Sequence, residues 1–325
     1  MKLIQPAKKL RSDHIILYLC IGYYLLMCFV APGFFTINNS WNLLFNLLPL
    51  LIAAIGQTLV MITAGIDLSV TSVIAVASVV GGYIMSADTG LGLGPTEAIL
   101  GSVLGMMLVG GLIGWLNGWA ITALGMPAFM VTLTTMIFFS GFAIWLTQSQ
   151  NIYNLPEAFV NMPYSSVLGI PIPALIGAVV VGVAYLLLAK TLRGAWIYAV
   201  GMNPKAAKIS GVKVPQTIVL VYVFSGICAA VASVLYTARL ETGSPVMGQN
   251  SLLDIIGAVV IGGTSLFGGK GKVQWTLYGV LFITLLDNSL NLMGLSYFLI
   301  MMVKGAVILL AAMLNVGKRT ALQTA

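Results

Sequence analysis

Four ionisable side chains fall within long apolar runs of the chain: Asp67, Asp254, Asp287 and Lys304. A charge placed in hydrocarbon is costly, so each is a candidate for contact with an ion or polar solute, or for pairing with an opposite charge. Asp67 stands in TAGIDLSVTS, where Gly65 can break a helix and Ser69, Thr71 and Ser72 can restart one. Two roles fit it. It caps the restarted helix, or it takes a direct part in transport, as discontinuous helices aim backbone N–H groups into binding sites. Asp254 opens LLDIIGAVVIGG and invites the same two readings. Asp287 and Lys304 fall in adjacent antiparallel runs and are expected to pair. Gln57, Ser69, Asn117, Thr132, Thr135, Asn288 and Asn291 add neutral hydrogen-bonding groups suited to a polyhydroxylated solute, although such groups also hold helices together. The candidate solute path is Gln57, Asp67, Ser69, Thr132, Asp254 and Asn288.

Enzymatic chemistry has no comparable support. Cys20, Cys28 and Cys228 lie in apolar runs without CxxC spacing, and His14 is the only histidine, so no metal centre or disulfide framework is indicated. GGTSLFGGKGK fails as a phosphate loop: after Gly263 the second glycine falls at Gly268, and Gly269 occupies the position that requires lysine. There is no GxSxG or HExxH. The sequence implies a non-enzymatic chain that binds no cofactor or metal itself, and its charge of +7 is no argument for nucleic acid.

The elements that carry these residues follow from composition. Hydrophobic residues make up 59% of the 325 and charged residues only 7%, with a mean hydropathy of +1.04. A soluble domain carries about 25% charge. A span needs about 20 apolar residues, and the runs are continuous rather than alternating as in a β-barrel. The expected fold is all-α and polytopic, a single domain over 1–325. Ten spans are read at 14–32, 47–64, 69–86, 97–120, 128–147, 169–189, 215–237, 253–264, 273–291 and 295–314. The eighth is too short to cross alone and precedes a Gly-rich stretch, so it is expected to be broken or re-entrant. MKLIQPAKKLRSDH and the following apolar run resemble a signal peptide without a cleavage site and are read as a retained first helix. The 36 glycines, with runs such as GSVLGMMLVGGLIG at 101–114, favour close helix packing.

Ten spans put both termini on one side, and the positive charges choose it. With the termini cytoplasmic, that side holds Lys2, Lys8, Lys9, Arg11, Lys190, Arg193, Lys205, Lys208, Lys213, Lys270, Lys272, Lys318 and Arg319, thirteen of the fifteen basic residues. The longest internal cytoplasmic loop is then 190–214, and within it GMNPKAAKISGVKV carries its own helix signals. Asn203 suits an N-cap and Pro204 the first helical position, while Gly211 suits a left-handed stop. A capped soluble helix there is either a solvated loop or a docking element, presenting Ala206, Ala207 and Ile209 to a cytoplasmic groove with lysines at the rim. An ion-coupled carrier using Asp67 or Asp254 remains an alternative on these residues alone.

Six stretches, in order, resemble the permease subunit of bacterial ABC importers of the ribose-type sugar family. They are GIDLSV at 65–70, PAFMVTL at 127–133, YAVGMNPKAAKISGVKV at 198–214, LLDIIGAVVIGGTSLFGGKG at 252–271, NSLNLMG at 288–294 and VKGAVILLA at 303–311. The resemblance implies a type II importer-like permease of about ten helices in the bacterial inner membrane. It also implies a second permease subunit, two cytoplasmic ATPase subunits that hold ATP and Mg, and a periplasmic sugar-binding protein. Gly201, Asn203, Pro204, Lys205, Ala206, Ala207, Ser210 and Gly211 would then form the coupling element against an ATPase. The chain departs from the pattern at Lys205, where the family often has an acidic residue, at Thr71, where Gly is common, and at Asp287, where Asn is expected.

Overall fold

The computed structural model describes residues 14–90, 92 and 94–323. Lys2, Lys8, Lys9 and Arg11, which weigh on the orientation, lie outside the described residues. Each of the ten apolar runs contains a helix: α1 (Ile15–Val30), α2 (Ile37–Ile62), α3 (Val70–Met85), α4 (Pro95–Ala123), α5 (Ala128–Thr147), α7 (Ile172–Lys190), α10 (Val214–Leu240), α11 (Leu252–Gly262), α12 (Val273–Leu292) and α13 (Tyr297–Gln323). Three further helices connect them: α6 (Glu157–Val160), α8 (Leu192–Met202) and α9 (Pro204–Ile209). Among the described residues α2, α4, α5, α7 and α10 are long and apolar enough to cross a membrane by themselves. A polytopic membrane protein is the architecture that satisfies backbone groups in lipid with such helices.

The second helix begins ten residues before the expected start at 47. Asn38, Asn39, Asn42 and Asn46 hid that turn of sequence, but Thr36 caps it, its Oγ1 accepting from Asn39 N at 3.2 Å. From there α2 runs through the middle of the bundle, and every residue from Leu47 to Ile62 is buried. Its close neighbours include α10, α12, α11 and α7.

Glycines set a close approach between α4 and α10. A Cβ on Gly110 would stand 2.3 Å from Gly226 O, on Gly114 2.2 Å from Tyr222 O and on Gly118 2.6 Å from Val219 Cα. Spaced four apart, they form one smooth stripe that lets the backbones touch. The glycine-rich run thus serves packing within the chain. The eighth run is short, as expected: α11 has 11 residues and ends at Gly263, whose φ of +109° only glycine adopts comfortably. At the end of the bundle where α2 starts, a small hairpin pairs β1 (Ser166–Val167) with β2 (Ile170–Pro171). Leu168 and Gly169 at its tip both have positive φ, which matches the twist of a two-residue turn.

Candidate functional site

Helix α9 is built as its sequence reads. Asn203 Oδ1 accepts from Lys205 N at 3.0 Å and Ala206 N at 3.1 Å, satisfying two backbone donors that a helix start leaves open. Pro204 takes the first position. At the other end Gly211 turns left-handed at φ +82°, and Val212 N returns to Ala207 O at 3.0 Å. Six residues with both ends bonded make a short rigid knob.

The face it offers differs from the expected one. Ala207 is buried against the chain itself, whereas Ala206 is exposed and Ile209 is 89% exposed. The rotation of so short a helix is fixed by its flanking loops, which composition does not reveal. Met202, just before it, is 72% exposed. The outward apolar surface is therefore Met202, Ala206 and Ile209, bordered by Lys205 and Lys208.

Behind this surface α8 is seated on two other segments. Gly269 N donates to Ile62 O at 2.8 Å, joining the GGTSLFGGKG loop to the end of α2. Gly201 fits against that bond so tightly that a Cβ would stand 1.7 Å from Ile62 O and 2.6 Å from Gly269 N. Tyr198 Oη donates to Gly271 O at 2.8 Å. The end of α8, the end of α2 and the 263–272 loop form one junction.

From Ile62 the chain passes Gly65, which lies against the hydroxyl of the buried Tyr222, to Asp67. Asp67 is 1% exposed rather than at a surface. Its Oδ1 accepts from Ser69 N at 3.0 Å and Ser69 Oγ at 2.6 Å, and its Oδ2 accepts from Ser225 Oγ at 2.8 Å. Asn117 donates to Ser69 Oγ at 2.8 Å and accepts from Thr135 Oγ1 at 2.7 Å. Thr132 Oγ1 donates to Ile66 O at 3.1 Å. With its amide oriented to fit, Gln57 pairs with both backbone groups of Asp67, at 3.0 and 3.2 Å. Five helices thus meet at one closed polar hub. Buried polar groups in such a hub fix a unique packing because each is costly without its partner.

The remaining candidates sit elsewhere. Lys304 Nζ lies 2.9 Å from Asp254 Oδ2 and 3.0 Å from Asp287 Oδ1, so a single ammonium ties α13 to both α11 and α12. Asp254 lies in the first turn of α11 and shares this ammonium with Asp287. Asn288 exchanges two amide hydrogen bonds with Asn39, at 2.8 and 2.9 Å. Gln57, Asp67, Ser69 and Thr132 therefore share one place, Asp254 a second and Asn288 a third. Ser225, Tyr198 and Ile62 were not singled out by sequence. Their partners lie 158, 73 and 207 residues away along the chain.

Comparisons with known proteins agree with this architecture. The family model described as branched-chain amino acid transport system / permease component matches residues 39–312. The chain is 40% identical over 301 residues to the ribose import permease protein RbsC of Bacillus subtilis, covering 91% of each chain. It is 37% identical to the ribose import permease protein RbsC of Haemophilus influenzae, covering 87% of each. It is 33% identical to the D-allose transport system permease protein AlsC of Escherichia coli, covering 88% of this chain and 86% of the other. No solved structure matches. With 274 consecutive residues under one model and relatives of this identity over nearly its whole length, the chain belongs to the permease family that this model describes.

Proposed function

We propose that this chain is the membrane permease subunit of an ATP-driven importer for a monosaccharide or related small polar solute in the bacterial inner membrane. The observation that carries the reading is the capped knob at 203–211, exposed on its outer face and continuous with α8, whose Gly201 is seated on the end of α2. Such a knob is suited to a partner's groove, and its seat passes displacement into the helices that hold Asp67. The relatives' names, for ribose and allose import, favour a sugar over the amino acids in the family's description. In this reading the helices of all ten apolar runs cross or enter the membrane and both termini are cytoplasmic. ATP and Mg sit on two separate ATPase subunits, a second permease completes the pore, and a periplasmic binding protein delivers the solute. ATP-driven closure of the ATPase pair shifts the packing of a two-state bundle through residues 201–211, alternating access between the two sides.

Co-expression with candidate ATPase and receptor subunits from the same organism, followed by purification in mild detergent, tests the assignment. Recovery of a complex of permease and ATPase supports it, and a chain that purifies alone under all such conditions contradicts it.

A further inference from the structure

At the end of the bundle where α2 starts and α10 stops, a cavity of about 640 Å³ opens between the first turns of α2, the β1–β2 hairpin and Arg239. Asn38, Trp41, Asn42 and Phe45 all line it. Their spacing of i, i+3, i+4 and i+7 places them on one helix face. The Trp41 and Phe45 rings stack with centroids 5.8 Å apart and planes at 22°, and Tyr164 meets Phe45 edge-on at 5.7 Å. Arg239 faces this aromatic wall, oriented by a 2.6 Å bond from Nη1 to Asn46 Oδ1. Among the described residues, the amides of Asn38 and Asn42 and the other guanidinium N–H groups make no hydrogen bond to protein.

Two amides and a guanidinium set beside an indole match a neutral polyhydroxylated ring. Its C–H face covers the aromatic surface, and each hydroxyl both donates and accepts. An amide answers hydroxyls in either sense, and a guanidinium donates to their lone pairs. The lining contains no Asp or Glu, so an amino acid's ammonium would find no counter-charge there. The volume falls in the range of about 300–1,000 Å³ usual for small-molecule sites, ample for one sugar. We propose that this cavity is the receiving site for a monosaccharide on the permease, with Trp41 as the stacking platform and Asn42 and Arg239 as the hydroxyl contacts. The assignment rests on the transport reading above and names where the solute first meets this chain.

A thiol introduced at the rim by Ser166→Cys reports occupancy. The assembled complex is treated with a membrane-impermeant maleimide with and without D-ribose, D-allose or L-leucine, and labelling is measured against the parent chain with its native Cys20, Cys28 and Cys228. Either sugar is expected to slow labelling of the new thiol several-fold, as occupancy of one site does by mass action, and leucine is expected to leave it unchanged. Adding Trp41→Ala or Asn42→Ala is expected to remove the protection while labelling without sugar continues at the Ser166→Cys rate. ATP-driven sugar uptake by the same complex without any protection overturns the cavity assignment alone. Protection without ATP-driven uptake supports the cavity and overturns the transport reading. The absence of both overturns the two together.

Discussion

Gly269 donates its backbone N–H to the carbonyl of Ile62 at 2.8 Å, with Gly201 pressed against the bond. This contact seats the penultimate residue of α8, which leads directly into the capped knob, on the last residue of the helix at the centre of the bundle. Because Tyr198 Oη also bonds Gly271 O in the same loop, displacement of α8 bears on the end of α2 both through the packing at Gly201 and through that loop.

A side chain at position 201 is incompatible with the contact. A methyl 1.7 Å from Ile62 O cannot be absorbed by rotamer change, because the obstacle is backbone. Gly201→Ala is expected to lower the melting temperature in detergent and to abolish uptake. Gly141→Ala is the matched control, with nothing within 4 Å of the added atom. It should leave uptake intact and shift stability by no more than the roughly 0.5–1 kcal/mol of helix propensity.

At the polar hub, truncation costs more than substitution. Asp67→Ala leaves the Ser69 N–H and the Ser69 and Ser225 hydroxyls without their acceptor, at about 1–3 kcal/mol for each buried group left unpaired. Asp67→Asn retains an acceptor oxygen. Thermal unfolding is expected to rank Asp67→Ala as most destabilising, then Asp67→Asn, then Ser225→Ala. A flat ranking would show that the hub does not hold the five helices together.

Lys304 pairs with two carboxylates, so its loss deprives both of this cation. Lys304→Met is expected to destabilise the chain more than either Asp254→Asn or Asp287→Asn. Of the two, Asp254→Asn should be the more costly, since its side chain is 20% exposed against 40% for Asp287. Adding both Asn substitutions to Lys304→Met should restore part of the loss, because unpaired buried charge is the source of the penalty. Unfolding of the single and combined variants measures the coupling.

The two sides of α9 give opposite phenotypes. Ala207→Glu inserts a charge beneath the knob and is expected to impair folding, seen as loss from the membrane fraction. Ile209→Asp alters only a side chain that is 89% exposed. It should leave yield and melting temperature unchanged while reducing recovery of the ATPase subunit in pull-downs. Loss of ATPase from Ala207→Glu alone would place the docking surface elsewhere.

The helices were legible in the sequence because an apolar run of span length has few alternatives to a helix in lipid. Asn203, Pro204 and Gly211 were legible for the same kind of reason, since caps are local chemistry. What stayed hidden was non-local or rotational. Nothing near Asp254 announces Lys304, 50 residues on, and nothing near Asp67 announces Ser225. The inward turn of Ala207 depends on loops rather than on the helix itself. The early start of α2 was masked by four asparagines, although INNSWNLLFN carries an i, i+3, i+4, i+7 face that could have been read as a lined wall.

The most direct test of an externally powered permease is uptake of labelled D-ribose into vesicles holding the chain with its ATPase and loaded receptor, with and without ATP. The account predicts uphill uptake that requires ATP and is lost in Ile209→Asp while the protein remains inserted. Uphill uptake by the chain alone, driven by an ion gradient and indifferent to ATP, would contradict it.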